Sequence, residues 1–514
     1  MRVERRHILL IVLILSSSLL SAQASHPFGE RDINGTARYV GMAGAMTAVG
    51  ADPSAVLDNP AGLGLYRRWE VALTLRGLIN NDRNLSYSKE QTNFYHHQTV
   101  SSFQLPQASI VFSLQNTGER GLRFCNFMLS YNRLRSYNRT SCSTHFNAPS
   151  IAALMVNQLS DNGLDETSVS QSLFTDAASG WLSELGYQAY LVNPEYDYIA
   201  TTIGQTDTVF AGWSAAFGLQ DQTALRVEES GYMDEYAFHW GGNINHRIYI
   251  GLGLNIRALD YTKKVTYSEW IQADSDRGIE HNAYLRLSGA GISGSIGIIY
   301  QPLEWLRAGA SFQTPVWASV RQQTRSYINT YAYPSASENI YYETPSYNER
   351  KGLTLPLKSS VATTFLFGNK GLVSLQYDYT HRKQTDDIHT LKIGSEVVVI
   401  DNMFIQMGYA CESRFKHTYN QPVYRLSSND VRTDPDFRQW RTAHYASLGL
   451  GYRGNRFFVQ AAYQCQIQTY RQFAFAVTDD FREYNIGVID TQPQPFEHRI
   501  LSHRIVFTIG WHSH

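Results

Sequence analysis

From Trp69 to the C-terminus, hydrophobic and polar residues alternate with a period of two. In Tyr249–Arg257, Ile250, Leu252, Leu254 and Ile256 form an apolar set, and Tyr249, Gly251, Gly253, Asn255 and Arg257 form the other. In Leu372–Tyr379, Val373, Leu375, Tyr377 and Tyr379 alternate with Ser374, Gln376 and Asp378. The last such segment sets Ile505, Phe507, Ile509 and Trp511 against Arg504, Val506, Thr508, Gly510 and His512. This is the mark of strands with two unlike faces. Candidate strands lie near 69–80, 102–115, 121–135, 232–245, 247–270, 282–301, 304–330, 353–368, 371–385, 388–400, 402–420, 440–453, 455–474 and 499–513. They number about fourteen, an even count as in bacterial single-chain membrane barrels.

The connections alternate in length. Short turns fall at Asn116–Arg120, His246-Arg247, Pro302–Glu304, Gly368–Gly371, Asp401-Asn402 and Arg453–Asn455. Between them lie long polar links at 81–101, 136–231, 271–281, 331–352, 421–439 and 475–498. Short turns on one side and long loops on the other characterise an outer-membrane barrel. A water-soluble sandwich has no reason for that asymmetry. The pattern predicts an all-β chain: a transmembrane antiparallel β-barrel of about fourteen strands over 69–514.

The N-terminus predicts where the barrel goes. Arg2, Arg5 and Arg6 precede an apolar run, Ile8 to Leu15, and Ala22-Gln23-Ala24 fits a cleavage site. Residues 1–24 read as a signal peptide cleaved near Ala24, directing the chain to the outer membrane of a Gram-negative bacterium. The next stretch, 25–68, is small, Gly/Ala-rich and nearly uncharged from Gly35 to Tyr66, with an Asp58-Asn59-Pro60-Ala61-Gly62 turn. Gly and Pro break it too often for a strand. It reads as a plug, or hatch, packed inside the lumen.

Composition agrees. Charged residues make up 17% and the mean hydropathy is −0.31, as a barrel allows when only alternate residues meet lipid. The chain has 33 Tyr, 24 Phe and 9 Trp, the residues that favour membrane interfaces. A net charge of −1 gives no reason to expect nucleic acid. Cys125, Cys142, Cys411 and Cys465 show no metal-site spacing; a Cys125–Cys142 disulfide and four free thiols both fit. No Ser-His-Asp arrangement, phosphate loop, paired carboxylates or cofactor motif stands out, so no enzyme is nominated. His96-His97 invites a haem reading, but neither has a spaced carboxylate or Cys partner.

Three segments carry a family likeness: the plug with Asn59-Pro60-Ala61; GAGISGSIGIIYQPLEWLRAGASFQTP, Gly289 to Pro315; and LTLPLKSSVATTF, Leu353 to Phe365. In this order, after a leader, they resemble the FadL/OMPP1/TodX family of outer-membrane transporters. The resemblance implies a fourteen-stranded barrel closed by an N-terminal hatch. It implies passive uptake of long-chain fatty acids or aromatic and aliphatic hydrocarbons, captured by apolar extracellular loops and released through a gap beside a kinked third strand. Here Gly121 to Arg135 has no internal Gly or Pro, so the sequence predicts no kink there. Pro106 on the neighbouring strand is the better local breaker.

The longest loop, 136–231, reads as partly helical: Leu154 and Met155 lie in one apolar helical face, and Phe174, Trp181, Leu182 and Leu185 in another. These are the candidate ligand contacts, with packing on each other or on the barrel rim as the alternative. Gly41, Gly44, Asn59, Pro60, Ala61 and Gly62 are candidate gating residues of the hatch. Expected partners are hydrophobic small molecules, outer-membrane lipid and lipopolysaccharide around a monomer. The rival readings are a barrel platform for secreted or surface proteins, and a haem receptor.

Overall fold

A computed structural model describes residues 31–85, 96–116, 121–171, 173–175, 180–200, 206–271, 274–333, 335, 338–381, 387–400, 402–414, 431–475 and 495–513. The leader and its cleavage site near Ala24 lie outside them. Eighteen strand segments form one antiparallel sheet. Three of its staves are interrupted, so the sheet has fourteen. These are β1 (Glu70–Leu85), β2 (His97–Gln115), β3 (Leu122–Ser136 and Arg139–Pro149), β4 (Leu219–Ile244), β5 (Ile248–Ile271), β6 (Asp274–Leu303) and β7 (Leu306–Gln313 and Val316–Tyr331). They continue as β8 (Ile340–Glu343, Tyr347–Leu355 and Leu357–Leu366), β9 (Gly371–His381), β10 (Ile388–Ile400), β11 (Met403–Arg414), β12 (Phe437–Arg453), β13 (Phe457–Phe473) and β14 (Phe496–His512). The barrel closes because β1 pairs with β14 along its whole length, Glu70↔His512 to Leu85↔Glu497. Among the described residues no helix is long and apolar enough to cross a membrane.

The alternation maps onto the two faces of the wall. Leu252, Leu254 and Ile256 are 47–54% exposed, while Asn255 between them is 1% exposed. The outer face is an apolar band and the lumen face is largely Asn, Gln, Ser, Thr and charge. Three cross-strand pairs recur near the loop side of that band. Tyr377 with His389, Tyr409 with His444, and Tyr463 with His503 are joined OH to Nδ1 at 2.6, 2.8 and 2.7 Å. Each joins neighbouring strands, so each polar tip meets a partner while the ring faces lipid.

Strand ends differ from the sequence reading. The long links at 271–281 and 331–352 shrink to 272–273 and 332–339, and the longest loop to 150–218. Strands β4 to β7 run well past the apolar band, and there the polarity inverts. In β6, Ile292, Ile296 and Ile298 face outward below, whereas Leu285 and Leu287 are buried inward above. Apolar residues keep their period of two but change face within the strand.

Above the wall sits a cap between β3 and β4. It holds helices α3 (Ile151–Asp161), α4 (Glu166–Gln171) and α5 (Trp181–Gln188), numbered after two short helices of the hatch, and a hairpin of Val192–Ala200 with Thr206–Ala215.

Candidate functional site

The hatch is built from two similar starts. Asp52 accepts from Ser54 N and Ala55 N at 2.9 and 3.2 Å, with Pro53 next, and opens α2 (Pro53–Asp58). Asn59 accepts from Ala61 N at 3.1 Å, with Pro60 next, and opens a 3₁₀ turn, Pro60–Leu65. A side-chain cap followed by Pro is a strong local signal. Thr36 caps α1 (Ala37–Gly41) through Tyr39 N at 3.2 Å and donates to Asp52 at 2.7 Å. The short elements are thus tied together, and Tyr39, Val40, Met42, Met46 and Val49 share a buried apolar cluster with wall residues such as Tyr445 and Val506.

Glycines on the lumen face make a ledge for this unit. A Cβ on Gly297 of β6 would lie 1.8 Å from Asn59 Oδ1; on Gly251 of β5, 2.1 Å from the carbonyl carbon of Pro60; and on Gly408 of β11, 2.3 Å from that of Met42. The hatch backbone lies where barrel side chains would otherwise stand. Among the candidate gating residues, Asn59 donates to Thr47 O at 2.8 Å and Ile298 O at 3.3 Å. Ala61 packs with Tyr249 and Ile299, and Gly41 lies against Gln406 and Gly449. Gly44 turns at φ +73° beneath Tyr39, and Gly62 packs on Gly50 within the hatch. The Arg-x-Gly motif of β7 is also part of this seat: Arg307 donates to Val49 O at 3.1 Å, and Gly309 faces Thr47 and Ala48.

Charge locks the hatch to one side of the wall. Asp58, with no exposed side-chain surface, is 3.0 Å from both Arg31 and Lys358, and Tyr39 OH donates to it at 2.5 Å. Lys358 of β8 also reaches Asp378 of β9 at 3.3 Å, and Lys392 of β10 reaches Asp378 at 2.8 Å. Burial opposes the Asp58 charge, but Lys358, Arg31 and Lys392 outweigh it and hold the carboxyl well below the usual range. Arg38 grips Glu396 of β10 through two nitrogens at 2.7 and 2.9 Å.

Above the hatch the lumen face becomes apolar. Leu134, Tyr137, Met233, Tyr261, Leu285 and Leu287 pack with Val316, Val320, Leu353 and Leu355 in one buried cluster spanning β3 to β8. Sequence reasoning missed these residues; the inversion of phase within β4, β5 and β6 was the available signal. A strap, residues 431–436, reaches from β12 toward β5 and β7. Lys263 of β5 is 2.6 and 2.9 Å from Asp434 and Asp436. Thr433 hydrogen-bonds Ser326 of β7, and Arg438 pairs with Glu229 of β4 at 2.6 Å.

The wall beside this apolar cluster is incomplete. Strand β2 pairs with β3 only from Gln107↔Asn132 to Gln115↔Phe124. Its residues 97–104 pair with β1 alone among the described strands. The absence of a kink predicted for β3 is overturned. Its register against β4 shifts between Arg133 and Arg135, and it breaks between Ser136 and Arg139. Gly231 on β4, at φ +115°, lies close against β5, where a Cβ would be 2.1 Å from Asp260 O; on its other side Tyr137 N, inside the break of β3, donates to Gly231 O at 3.0 Å. Beyond the break β3 folds into the lumen, where Ser143 bonds His498 of β14 at 2.9 Å. A side-chain latch, Gln104 Nε2 to Ser136 Oγ at 3.0 Å, spans the gap. The hatch touches the same place: Asp32 N donates to Leu134 O and Asn34 Nδ2 to Arg133 O, at 3.2 and 2.5 Å.

The candidate ligand contacts lie in the cap. Leu154, Met155, Leu182 and Leu185 are buried in one core with Ile151, Trp213 and wall residues such as Val265. Trp181 is 6% exposed and stacks edge-on with half-buried Phe174 and with Tyr347 of β8 at 5.5 and 5.9 Å. The structure brings these side chains together, against each other and the rim. His96 bonds Thr144 of the infolded β3 at 3.1 Å, whereas His97 is exposed opposite Arg83. All four cysteines are free; Cys125 accepts from Trp240 Nε1 at 3.2 Å.

No family model matches this chain, and no curated protein matches it. Solved structures do. A FadL homologue of Pseudomonas aeruginosa is 12% identical, over 94% of this chain and 99% of its own, with a TM-score of 0.51. The deltaS2S3 mutant of TodX, a monoaromatic hydrocarbon channel, is 9% identical over 93% and 99%, also at 0.51. The likeness read in three short segments therefore extends to the whole architecture, and this chain has the fourteen-stranded barrel fold of the FadL type.

Proposed function

We propose that this protein is a passive outer-membrane channel for small hydrophobic molecules, either fatty acids or aromatic and aliphatic hydrocarbons. One observation carries the reading: a buried apolar cluster on the lumen face includes Leu134 and Tyr137, beside a gap in the wall. A molecule that parts this cluster gains about 25 cal/mol for each Å² of apolar surface it buries. It gains nothing by continuing past a charged, close-packed hatch. The gap offers a way into the bilayer that avoids water. The like fold of the TodX mutant, a monoaromatic hydrocarbon channel, supports this reading. We place entry at the cap, whose core, including Leu154, Met155, Trp181 and Leu185, parts to admit solute, and we assign gating to the hatch residues Gly41 to Gly62.

The test pairs uptake with a covalent seam. Gln104→Cys with Ser136→Cys, in a background lacking the native cysteines, would join β2 to β3. Uptake of labelled fatty acid or toluene should fall at least tenfold when the pair is oxidised and return on reduction. Unchanged uptake in the oxidised form, or in a strain lacking the protein altogether, would overturn the proposal.

A second reading has its own observation. On the cap hairpin, Tyr198, Ile199 and Val209 are 77%, 51% and 47% exposed, a patch that suits a protein partner. Co-purification of one stoichiometric protein, lost in Tyr198→Ser/Ile199→Ser, is the expected result for that reading.

A further inference from the structure

The outer face of β14 and β1 changes character at one level. From the turn end, β14 presents Trp511, Ile509, Phe507 and Ile505 outward, then His503 and Leu501, then Arg499 and Glu497. Strand β1 presents Val71, Leu73, Leu75 and Ile79, then Asn81 and Arg83. In their ladder Arg83 stands directly opposite Arg499, and both are exposed. Like charges directly opposed across a ladder destabilise it. Arg471 of β13 and Arg441 of β12 stand beside them and reach the same carboxylate oxygen of Glu497, at 3.3 and 3.5 Å. Among the described residues, this patch holds four guanidiniums and one carboxylate.

Its height matters. Arg499 lies twelve residues from Trp511. At about 3.4 Å per residue and a tilt of about 40°, that is roughly 30 Å along the barrel axis. The apolar band of such a barrel is about 25 Å tall, so the arginines stand just beyond it. The Tyr463–His503 pair sits between them and the purely aliphatic zone.

We propose that this patch binds lipopolysaccharide through its lipid A phosphates. Guanidinium forks match phosphate oxygens in bidentate pairs, and a phosphate between Arg83 and Arg499 turns their repulsion into attraction. Beneath the arginines, past Asn81 and His503, lies the apolar band. The ligand that satisfies both zones is therefore a phosphorylated amphiphile whose chains lie along Leu501, Ile505 and Phe507. The inference rests on the loop end facing outward and not on which solute is carried, so failure of the transport reading leaves it standing.

The test uses the full mature protein in neutral detergent, with unfolding followed by heat-modifiable gel mobility. Rough lipopolysaccharide, phosphatidylglycerol and inorganic phosphate are added separately. Lipopolysaccharide should raise the Tm of the parent at concentrations at least tenfold lower than phosphatidylglycerol, and inorganic phosphate should leave it unmoved. R83Q/R499Q should lose that response, yet match or exceed the parent's Tm in lipid-free detergent because a repulsion is gone. R83K/R499K should keep part of the response, and R286Q, which alters an arginine paired with Asp260 on another face, should keep all of it. An unchanged lipopolysaccharide response in R83Q/R499Q overturns the proposal. So does an equal response to phosphatidylglycerol or inorganic phosphate, or loss of response in R286Q. A double variant that is less stable than the parent without lipid, or does not fold, also overturns it by making the pair structural.

Discussion

Lys358 Nζ lies 3.0 Å from Asp58 and 3.3 Å from Asp378, so a carboxylate of the hatch and a carboxylate of the wall share one ammonium. Removing one partner of a buried pair costs about 3–5 kcal/mol, because the other charge stays buried without its counterion. Asp58→Asn should therefore loosen the hatch while leaving the barrel folded. The expected result is a rise in single-channel conductance in planar bilayers, with unaltered heat-modifiable mobility.

The same pair fixes a pH response. The folded Asp58 carboxyl is held well below its ordinary value. Its stabilisation is fully present above about pH 4 and is lost only as pH falls through the depressed folded value. Conductance should stay low and flat from pH 8 to pH 4. A steep opening near pH 6 would show that some other group controls the hatch.

Steric substitutions on the ledge should act in order of approach. Gly297→Ala puts a methyl 1.8 Å from Asn59 Oδ1, whereas Gly309→Ala puts one 2.9 Å from Thr47 O. The first should displace the hatch, read as protease cleavage within residues 31–66 at a rate at least tenfold above the parent. The second should have a smaller effect.

The strap gives a reversible lock. Thr433 hydrogen-bonds Ser326, so Ser326→Cys with Thr433→Cys should cross-link under oxidation. If solute passes this way, uptake should drop at least tenfold when oxidised and recover with reductant. Lys263→Met, which removes the cation between Asp434 and Asp436, should raise uptake instead.

The cap core offers a stability measurement. Leu185 is fully buried within it, and deleting such a side chain costs about 2–5 kcal/mol. Leu185→Ala should increase hydrogen exchange across 151–192 and leave exchange in β9 to β14 unchanged.

Much of this was legible in the residues. Alternation at Leu252, Leu254 and Ile256 identifies wall strands because lipid on one side and a polar lumen on the other impose a period of two. Asn59-Pro60 identifies the hatch because a capping side chain before Pro has few other uses. What escaped the sequence depends on distant partners. The break in β3 falls where Tyr137 N bonds Gly231 O, a partner on another strand. Leu285 and Leu287 fall inside the predicted strand 282–301, but their place in a buried lumen cluster depends on partners such as Leu134 and Val320 on other strands. The strap is six residues with no apolar period, and Lys263 and Ser326 across the lumen give it a place.

The inversion in β4 to β7 also sets a length scale. Strand β6 has 30 residues, Asp274–Leu303, about three times the 9–11 that a bilayer requires. One side of the barrel is therefore a tall windbreak, whereas β9 to β11, at 11 to 13 residues, end near the lipid surface. On the proposed route, a hydrophobic molecule arriving from water meets the cap on the tall side. The height of four strands would then set how far from the bilayer the solute leaves water, and shortening them would bring that point down toward the lipid surface.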